Sequence, residues 1–300
     1  MRLIADRGAF IQFCALLSGA LLFFFIDWAM KVYHYPRIFL FLALILLWVA
    51  VVRELNSTAI AMPSRMCRII RWTHAMTIEF LAFSFFIWMR LASAFRKDNR
   101  QILRKPRPIL MVHGYLNSGF VWDFHKKYLS QQGFGPIYTI DLKPHFQSIH
   151  EHALKVQQKA RQIAQETACS DLILIGHSMG GLVSYYYAAN LAPGLSVSQI
   201  ITIGSPLQGT HVAKIGLGQC ARDMEIGSKL LQDLHQSIDQ CKGVKFYNIA
   251  AYPDELIVPC TSAIFKSDPQ NQLYLEDIGH AAMLMSKRVA KQLGVWLETA

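Results

Sequence analysis

The run Asp171-Leu-Ile-Leu-Ile-Gly-His-Ser-Met-Gly-Gly181 sets a serine between two glycines, after a short apolar stretch and before a helix-forming one. A strand-to-helix turn this sharp strains its middle residue. Small neighbours relieve the crowding and leave the hydroxyl of Ser178 free at the end of a sheet. The chemistry such a hydroxyl offers is nucleophilic attack on an acyl carbon. The following helix, expected from Gly180 to about Leu191, turns its first amides and positive end toward the oxyanion that attack creates. An ordinary βα turn can also carry Gly-x-Ser-x-Gly. The strand before and the helix after are the context that favours a nucleophile.

The elements around this turn alternate. Apolar runs at Ile109–Val112, Ile137–Ile140, Leu172–Ile175, Gln199–Ile203, Val244–Ala250 and Gln272–Leu275 read as strands. Between and after them, helices are expected at Val121–Gln132, Glu151–Thr167, Met224–Leu234 and from Ala281 onward. This alternation predicts an α/β fold, a mostly parallel sheet with helices on both faces. Sites in such sheets gather at the carboxyl ends of the strands. His113-Gly114, Ser178, Asp254 and His280 all come just after an expected strand.

Residues 108–290 resemble the lipase and esterase branch of the α/β-hydrolase superfamily, bacterial triacylglycerol lipases in particular. The resemblance rests on Val112-His-Gly114, the Gly-His-Ser-Met-Gly-Gly turn, Gly204-Ser-Pro-Leu-Gln-Gly-Thr210, Asp254-Glu-Leu-Ile-Val-Pro259 with Cys-Thr-Ser262, and Gly279-His280, in that order. Ala221-Arg-Asp-Met-Glu-Ile-Gly-Ser228 is a weaker sixth feature. The resemblance implies an α/β-hydrolase catalytic domain over 108–300 with the chain order Ser, Asp, His. Ser178 is then the nucleophile and His280 the base that takes its proton and returns it to the leaving group. Asp254 would hold the imidazole in the right tautomer. The neighbouring Glu255 is the alternative acid, and the spacing to Pro259 in the resemblance favours Asp254. The oxyanion hole would be the backbone N–H groups of Tyr115 and Met179. His113 and His177 are expected to shape the loops, and Asp141 to be structural. Asp277 is expected to stay solvated. His145, His150 and His152 crowd together without a matching carboxylate or cysteine pattern, so no metal site follows. No cofactor motif is present.

The first third of the chain has a different character. Phe10–Met30 is long enough to span a bilayer, and Ile38–Val52 follows after a turn at Tyr33–Pro36. A third run, Trp72–Phe95, is interrupted by Glu79 and Arg90, and either spans or lies in the interface. Residues 1–95 therefore read as a membrane-anchoring helical region of two or three apolar helices, and 96–107 as a basic linker to the catalytic domain. The formal net charge is +10. Residues 1–107 carry 15 Lys/Arg against 5 Asp/Glu, while the remainder is balanced. Charge placed beside apolar runs suits anionic headgroups and argues against a nucleic-acid partner. The expected location is a membrane, the inner membrane of a bacterium. If the third run lies flat, the basic segments share one side and the positive-inside rule makes the domain cytoplasmic. If it spans, the domain could face the periplasm or exterior.

Six cysteines show no Cys-x-x-Cys spacing. Cys220 and Cys241 are either bridged or two free thiols. The 206–243 insertion is either a lid or a fixed cover of the sheet. The function expected is cleavage of lipid carboxylic esters by a membrane-anchored serine hydrolase. An acyltransferase or thioesterase using the same residues, and a non-catalytic membrane protein on a hydrolase fold, are the alternatives. The oligomeric state is left open.

Overall fold

The computed structural model describes Ala75, Thr77 and Glu79, residues 105–192 and residues 196–299. The apolar runs 10–30 and 38–52 lie outside the described residues. Among the described residues, no helix is long and apolar enough to cross a membrane.

Six parallel strands form one sheet: β1 (Lys105–Val112), β2 (Phe134–Ile140), β3 (Asp171–His177), β4 (Ser196–Ile203), β5 (Lys245–Ala251) and β6 (Gln272–Leu275), in the spatial order β2-β1-β3-β4-β5-β6. The chain steps outward from β1 to β2, then crosses back to lay β3 on the other side of β1. This reversal opens a crevice at the carboxyl ends of β1 and β3, where parallel α/β sheets place their ligands.

Both faces of the sheet are covered, so the central strands read as unbroken apolar runs. Ile109, Met111, Ile173 and Ile175 point to one face and pack with Trp122, Leu129, Leu293 and Trp296. That face is covered by α1 (Asp123–Gln131) and α6 (Lys287–Glu298). Leu110, Val112, Leu172 and Leu174 alternate to the other face. There they meet α2 (Ile149–Thr167) and α3 (Met179–Asn190). Ser148 and Glu151 start α2 with a reciprocal capping box.

Several boundaries differ from the sequence expectation. β1 begins at Lys105, inside the segment expected to be linker. Proline cannot donate to a ladder, so it sits where one side of a strand is unpaired. Accordingly β1 pairs with β3 only from Ile109, and its register with β2 shifts between Pro106 and Ile109. Of the helix expected at Met224–Leu234 only the second half forms, within α5 (Lys229–Ser237), while α4 (Gly218–Asp223) ends just before it. Gly227, at φ 78, and the capping hydroxyl of Ser228 separate them. The helix expected from Ala281 is a 3₁₀ turn, Ala282–Met285, and then α6, capped by Ser286. The 206–243 insertion is anchored: Leu231 and Leu234 are buried in the α2/α3 face, while Leu217 and Ile226 stay exposed.

Candidate active site

Ser178 stands between β3 and α3 with φ 56 and ψ −130. This backbone region costs a side-chain-bearing residue about 1–3 kcal/mol, so the surroundings must enforce it. Two backbone bonds do so: Ser178 N–H donates to Ile203 O at 2.9 Å, and Gly181 N–H to Ser178 O at 3.0 Å. The flanking glycines admit the turn because nothing larger fits. A Cβ on Gly176 would lie 2.5 Å from the Gly181 backbone, and one on Gly180 would lie 2.1 Å from Val112 O.

The loop after β1 presses on the serine. A Cβ at Gly114 would come within 2.7 Å of Ser178 Cβ and 3.2 Å of its Oγ. Tyr115 and Met179 follow Gly114 and Ser178 directly, and neither N–H has a hydrogen-bond partner among the described residues. His113 fixes this loop: its Nδ1 faces Gly114 O at 2.8 Å and its Nε2 accepts from Leu142 N–H at 2.9 Å.

His280 sits on the loop after β6 and is 3 % exposed. Its Nδ1 meets Asp254 at 2.9 Å to Oδ2 and 3.1 Å to Oδ1. Asp254, after β5, also accepts from Leu256 N–H at 2.9 Å and Ile257 N–H at 2.8 Å through Oδ1. These donors hold the carboxylate in place and leave Nε2 of His280 as the ring's free base position. Glu255 meets the backbone of His280 and not the ring: its Oε2 accepts from His280 N–H at 3.4 Å. His177, beside the serine, reaches His280 O through Nε2 at 3.2 Å, and the two rings lie 4.5 Å apart. The loops bearing Ser178 and His280 are therefore joined directly. Ser178 Oγ itself makes no hydrogen bond to a described residue. Nucleophile–base bonds are commonly loose before substrate binds.

Electrostatics single out one histidine. Burial pushes His113, His125, His152 and His177 below the usual imidazole value, His125 and His152 to about 4. Burial pushes His280 down as well, but the Asp254 carboxylate, through its charge and hydrogen bond, outweighs it with help from Glu79, and the net shift is upward. A base whose cation is stabilised in a buried site is what proton transfer from a hydroxyl requires.

The other sequence-chosen side chains lie elsewhere. Asp141 accepts from Gly119 N–H at 2.7 Å, and Asp277 pairs with Arg288 at the surface. His150 meets Tyr186, His152 faces His145 O, and no metal-binding group of side chains occurs among the described residues. Cys220 and Cys241 are free thiols.

One acid was not foreseen as part of the site. Glu79, read from sequence as an interruption of an apolar run, is 8 % exposed and accepts from Ala282 N–H at 2.9 Å and also from Ala281 N–H. Its signal was available, since a carboxylate inside an apolar run needs a partner. Nothing in the sequence said which. Glu255 lies against it. Burial, and then the Glu79 and Asp254 charges, push the Glu255 carboxyl well above the ordinary carboxyl range. Above that range the folded state therefore holds a proton the unfolded chain has released, and stability falls as pH rises. Glu255→Gln keeps a donor without this penalty. Its Tm is expected to exceed that of the parent by about 2–4 °C at neutral pH, with the gain gone below the ordinary carboxyl pKa. Thermal melts across pH check this, and an equal gain at every pH would contradict it.

Residues 122–259 match the family described as "PGAP1-like alpha/beta domain", a stretch that contains Ser178 and Asp254 but ends before His280. The chain is 28% identical over 113 residues to Ethanol acetyltransferase 1 of Wickerhamomyces ciferrii, covering 37% of this chain and 28% of that protein. It thus spans about a third or less of the length of the curated relatives it matches. Among solved structures, the mature Bacillus licheniformis lipase BlEst2 superposes with a TM-score of 0.55 at 17% identity, over 66% of this chain and 94% of that one. Aspergillus fumigatus lipase B gives 0.56 at 13% identity, over 63% and 52%. These structural likenesses show that the chain shares the fold of those two lipases.

Proposed function

We propose that this chain is a serine hydrolase that cleaves carboxylic esters of lipids through an acyl-enzyme on Ser178. The observation that carries the proposal is the buried His280–Asp254 pair, 2.9 Å apart, on a loop tied through His177 to the strained serine turn. In the first half-reaction Oγ of Ser178 attacks the ester carbonyl as its proton passes to Nε2 of His280. The negative oxygen of the tetrahedral species is met by the N–H groups of Tyr115 and Met179, each donor contributing about 3–4 kcal/mol. The C–O bond to the alcohol then breaks and His280 protonates the departing oxygen. In the second half-reaction water attacks the acyl-enzyme by the same route, releasing the acid and the free serine.

The rim of the site favours an apolar acyl group. Leu116, Phe146 and Leu217 are large apolar side chains left exposed. Tyr115 joins the last two: its hydroxyl accepts from Leu217 N–H at 2.8 Å and donates to Leu217 O at 2.9 Å, and its ring lies 6.1 Å from that of Phe146. A second reading, transfer of the acyl group to an alcohol, is favoured by the similarity to proteins named as ethanol acetyltransferases.

We further propose that residues 1–95 hold the enzyme in a membrane, which raises the local concentration of an insoluble ester. The bilayer-length run at 10–30 and the basic excess beside it support this. The seating of Glu79 against the hydrolase domain favours a third run that stays on the domain's side of the bilayer. The basic segments then fall together on the cytoplasmic face. Protease digestion of oriented vesicles tests the sidedness.

The purified protein is expected to hydrolyse a chain-length series of esters and to take a fluorophosphonate adduct on Ser178, located by peptide mass spectrometry. Added ethanol separates the two reactions: ethyl ester as the main product would move the assignment from hydrolysis to transfer. No adduct on Ser178 would remove both.

A further inference from the structure

The loop that carries His280 is gripped by a side chain from far outside the hydrolase motifs. Glu79 is helical, as are Ala75 and Thr77. Residues four apart share a helix face. Ala75 and Glu79 are buried, whereas Thr77 is exposed, so the 75/79 face packs inward. From that face the Glu79 carboxylate accepts the N–H groups of Ala281 and Ala282, 202 and 203 residues further along the chain. Those amides open the 3₁₀ turn Ala282–Met285, so the carboxylate also caps a helical turn with the favourable charge sign.

Glu255 completes the grip. A Cβ built on Gly279 would lie 2.7 Å from Glu79 Oε2 and 3.0 Å from Glu255 Oε2, so both carboxyls lie on the loop backbone. Glu255 also accepts His280 N–H. The four residues 279–282 are thus held from one side by two acids, while Asp254 holds the His280 ring from another element. Two enclosed carboxyls in contact carry one proton between them. Burial, and then the Glu79 and Asp254 charges, raise the Glu255 carboxyl well above the ordinary range, which favours Glu255 as the donor of the pair. A residue that only filled space here would be apolar, because an enclosed carboxylate is costly unless every oxygen is bonded.

We propose that Glu79 is a positioning residue for His280: with Glu255 it clamps the Gly279–Ala282 backbone so that the imidazole faces Ser178. The proposal rests on the assignment of His280 as the base. It ties a residue of the first third of the chain to the competence of the site.

The ionisable groups facing His280 are Asp254 and Glu255 from the loop after β5, Glu79, and the His177 ring at the end of β3. Of these, Glu79 adds negative charge without touching the ring, which separates its charge from its bonding in a test. The full-length protein in detergent micelles is compared as parent, Glu79→Ala and Glu79→Gln. Hydrogen exchange of the peptide containing 279–285 reads the clamp. The rate of fluorophosphonate labelling of Ser178, followed across the histidine pH range, reads its catalytic consequence. In Glu79→Ala, exchange is expected to accelerate and labelling to slow about 10- to 100-fold, the effect of a small misplacement of a reacting group. Glu79→Gln keeps an acceptor oxygen but loses the charge. It is expected to recover most of the rate at high pH, with the acid limb moved to lower pH because His280 is easier to deprotonate. Unchanged exchange in Glu79→Ala overturns the clamp. Faster exchange with an unchanged rate and acid limb overturns its positioning role. If the parent protein exchanges as expected but is never labelled at Ser178, the base assignment is what has failed, and the positioning role goes with it.

Discussion

His280→Ala is expected to lower kcat for ester hydrolysis by about 10⁴-fold or more, Ser178→Ala by a similar factor, and the double variant no further. The lack of additivity is the informative part. A serine without a base stays a weak neutral nucleophile, and a base without the serine has no proton to take, so either loss removes the same covalent route. Asp254→Asn is expected to fall nearly as far, about 10⁴-fold. An amide can donate where the carboxylate accepts, which would turn the imidazole tautomer and place its proton on Nε2, the wrong side for a base. The Oδ1 bonds from Leu256 and Ile257 can survive that substitution, so the fold is expected to be unchanged. Single-turnover kinetics on one chromogenic ester, with circular dichroism as a control for folding, measure these effects. In the parent, kcat/KM is expected to fall on the acid side through a pKa above the usual imidazole value, because Asp254 stabilises the His280 cation more than burial opposes it. A Ser178→Ala protein within tenfold of its parent would dismiss the mechanism, whatever the other two variants did. Ser178 Oγ and the imidazole are not bonded to each other in the resting site.

How much of this was legible beforehand depended on the range of the interactions involved. Strands such as Leu172–Ile175 announce themselves because a parallel sheet buries both faces and leaves an unbroken apolar run. The serine turn is legible for a local reason: Gly176 and Gly180 stand two residues either side of Ser178, and the clash that requires them involves the turn and the strand beside it. Order alone placed Asp254 and His280 after their strands. It could not choose between Asp254 and Glu255, because both carboxyls end within reach of residue 280 and differ only in meeting its ring or its backbone. The start of the 224–234 helix is misplaced by the pattern because the apolar spacing runs through Gly227, whose positive φ delays the helix to Lys229. The contacts of Glu79 were beyond sequence reading for a different reason. Its partners, Ala281 and Ala282, contribute backbone amides, and a backbone amide leaves no mark on composition or periodicity. Interactions made by side chains at fixed spacing can be read from the sequence, whereas those made to the main chain of a distant loop require the fold.

Gly180→Ala is expected to destabilise the hydrolase domain by about 3 kcal/mol or more and to abolish labelling of Ser178 in whatever folds. Helix propensity alone predicts the opposite, since alanine within a helix such as α3 outperforms glycine by about 1 kcal/mol. The sign reverses because the new methyl would meet Val112 O at 2.1 Å and His113 O at 2.7 Å. Both atoms are main chain, so no rotamer change can make room, and the end of β1 must separate from the start of α3. That movement carries the loop 113–115 away from Ser178, so the damage falls on the oxyanion site as well as on stability. Gly294→Ala supplies the contrast. This glycine also lies inside a helix, α6, but its added methyl would meet only Phe134 Cε2, at an ordinary 3.7 Å. Propensity should then operate unopposed, raising stability by about 0.5–1 kcal/mol with labelling intact. Urea unfolding of the two variants beside the parent measures both. Similar small shifts in the two proteins would mean that the close approach of β1 to the serine turn is not what holds that turn in its strained shape.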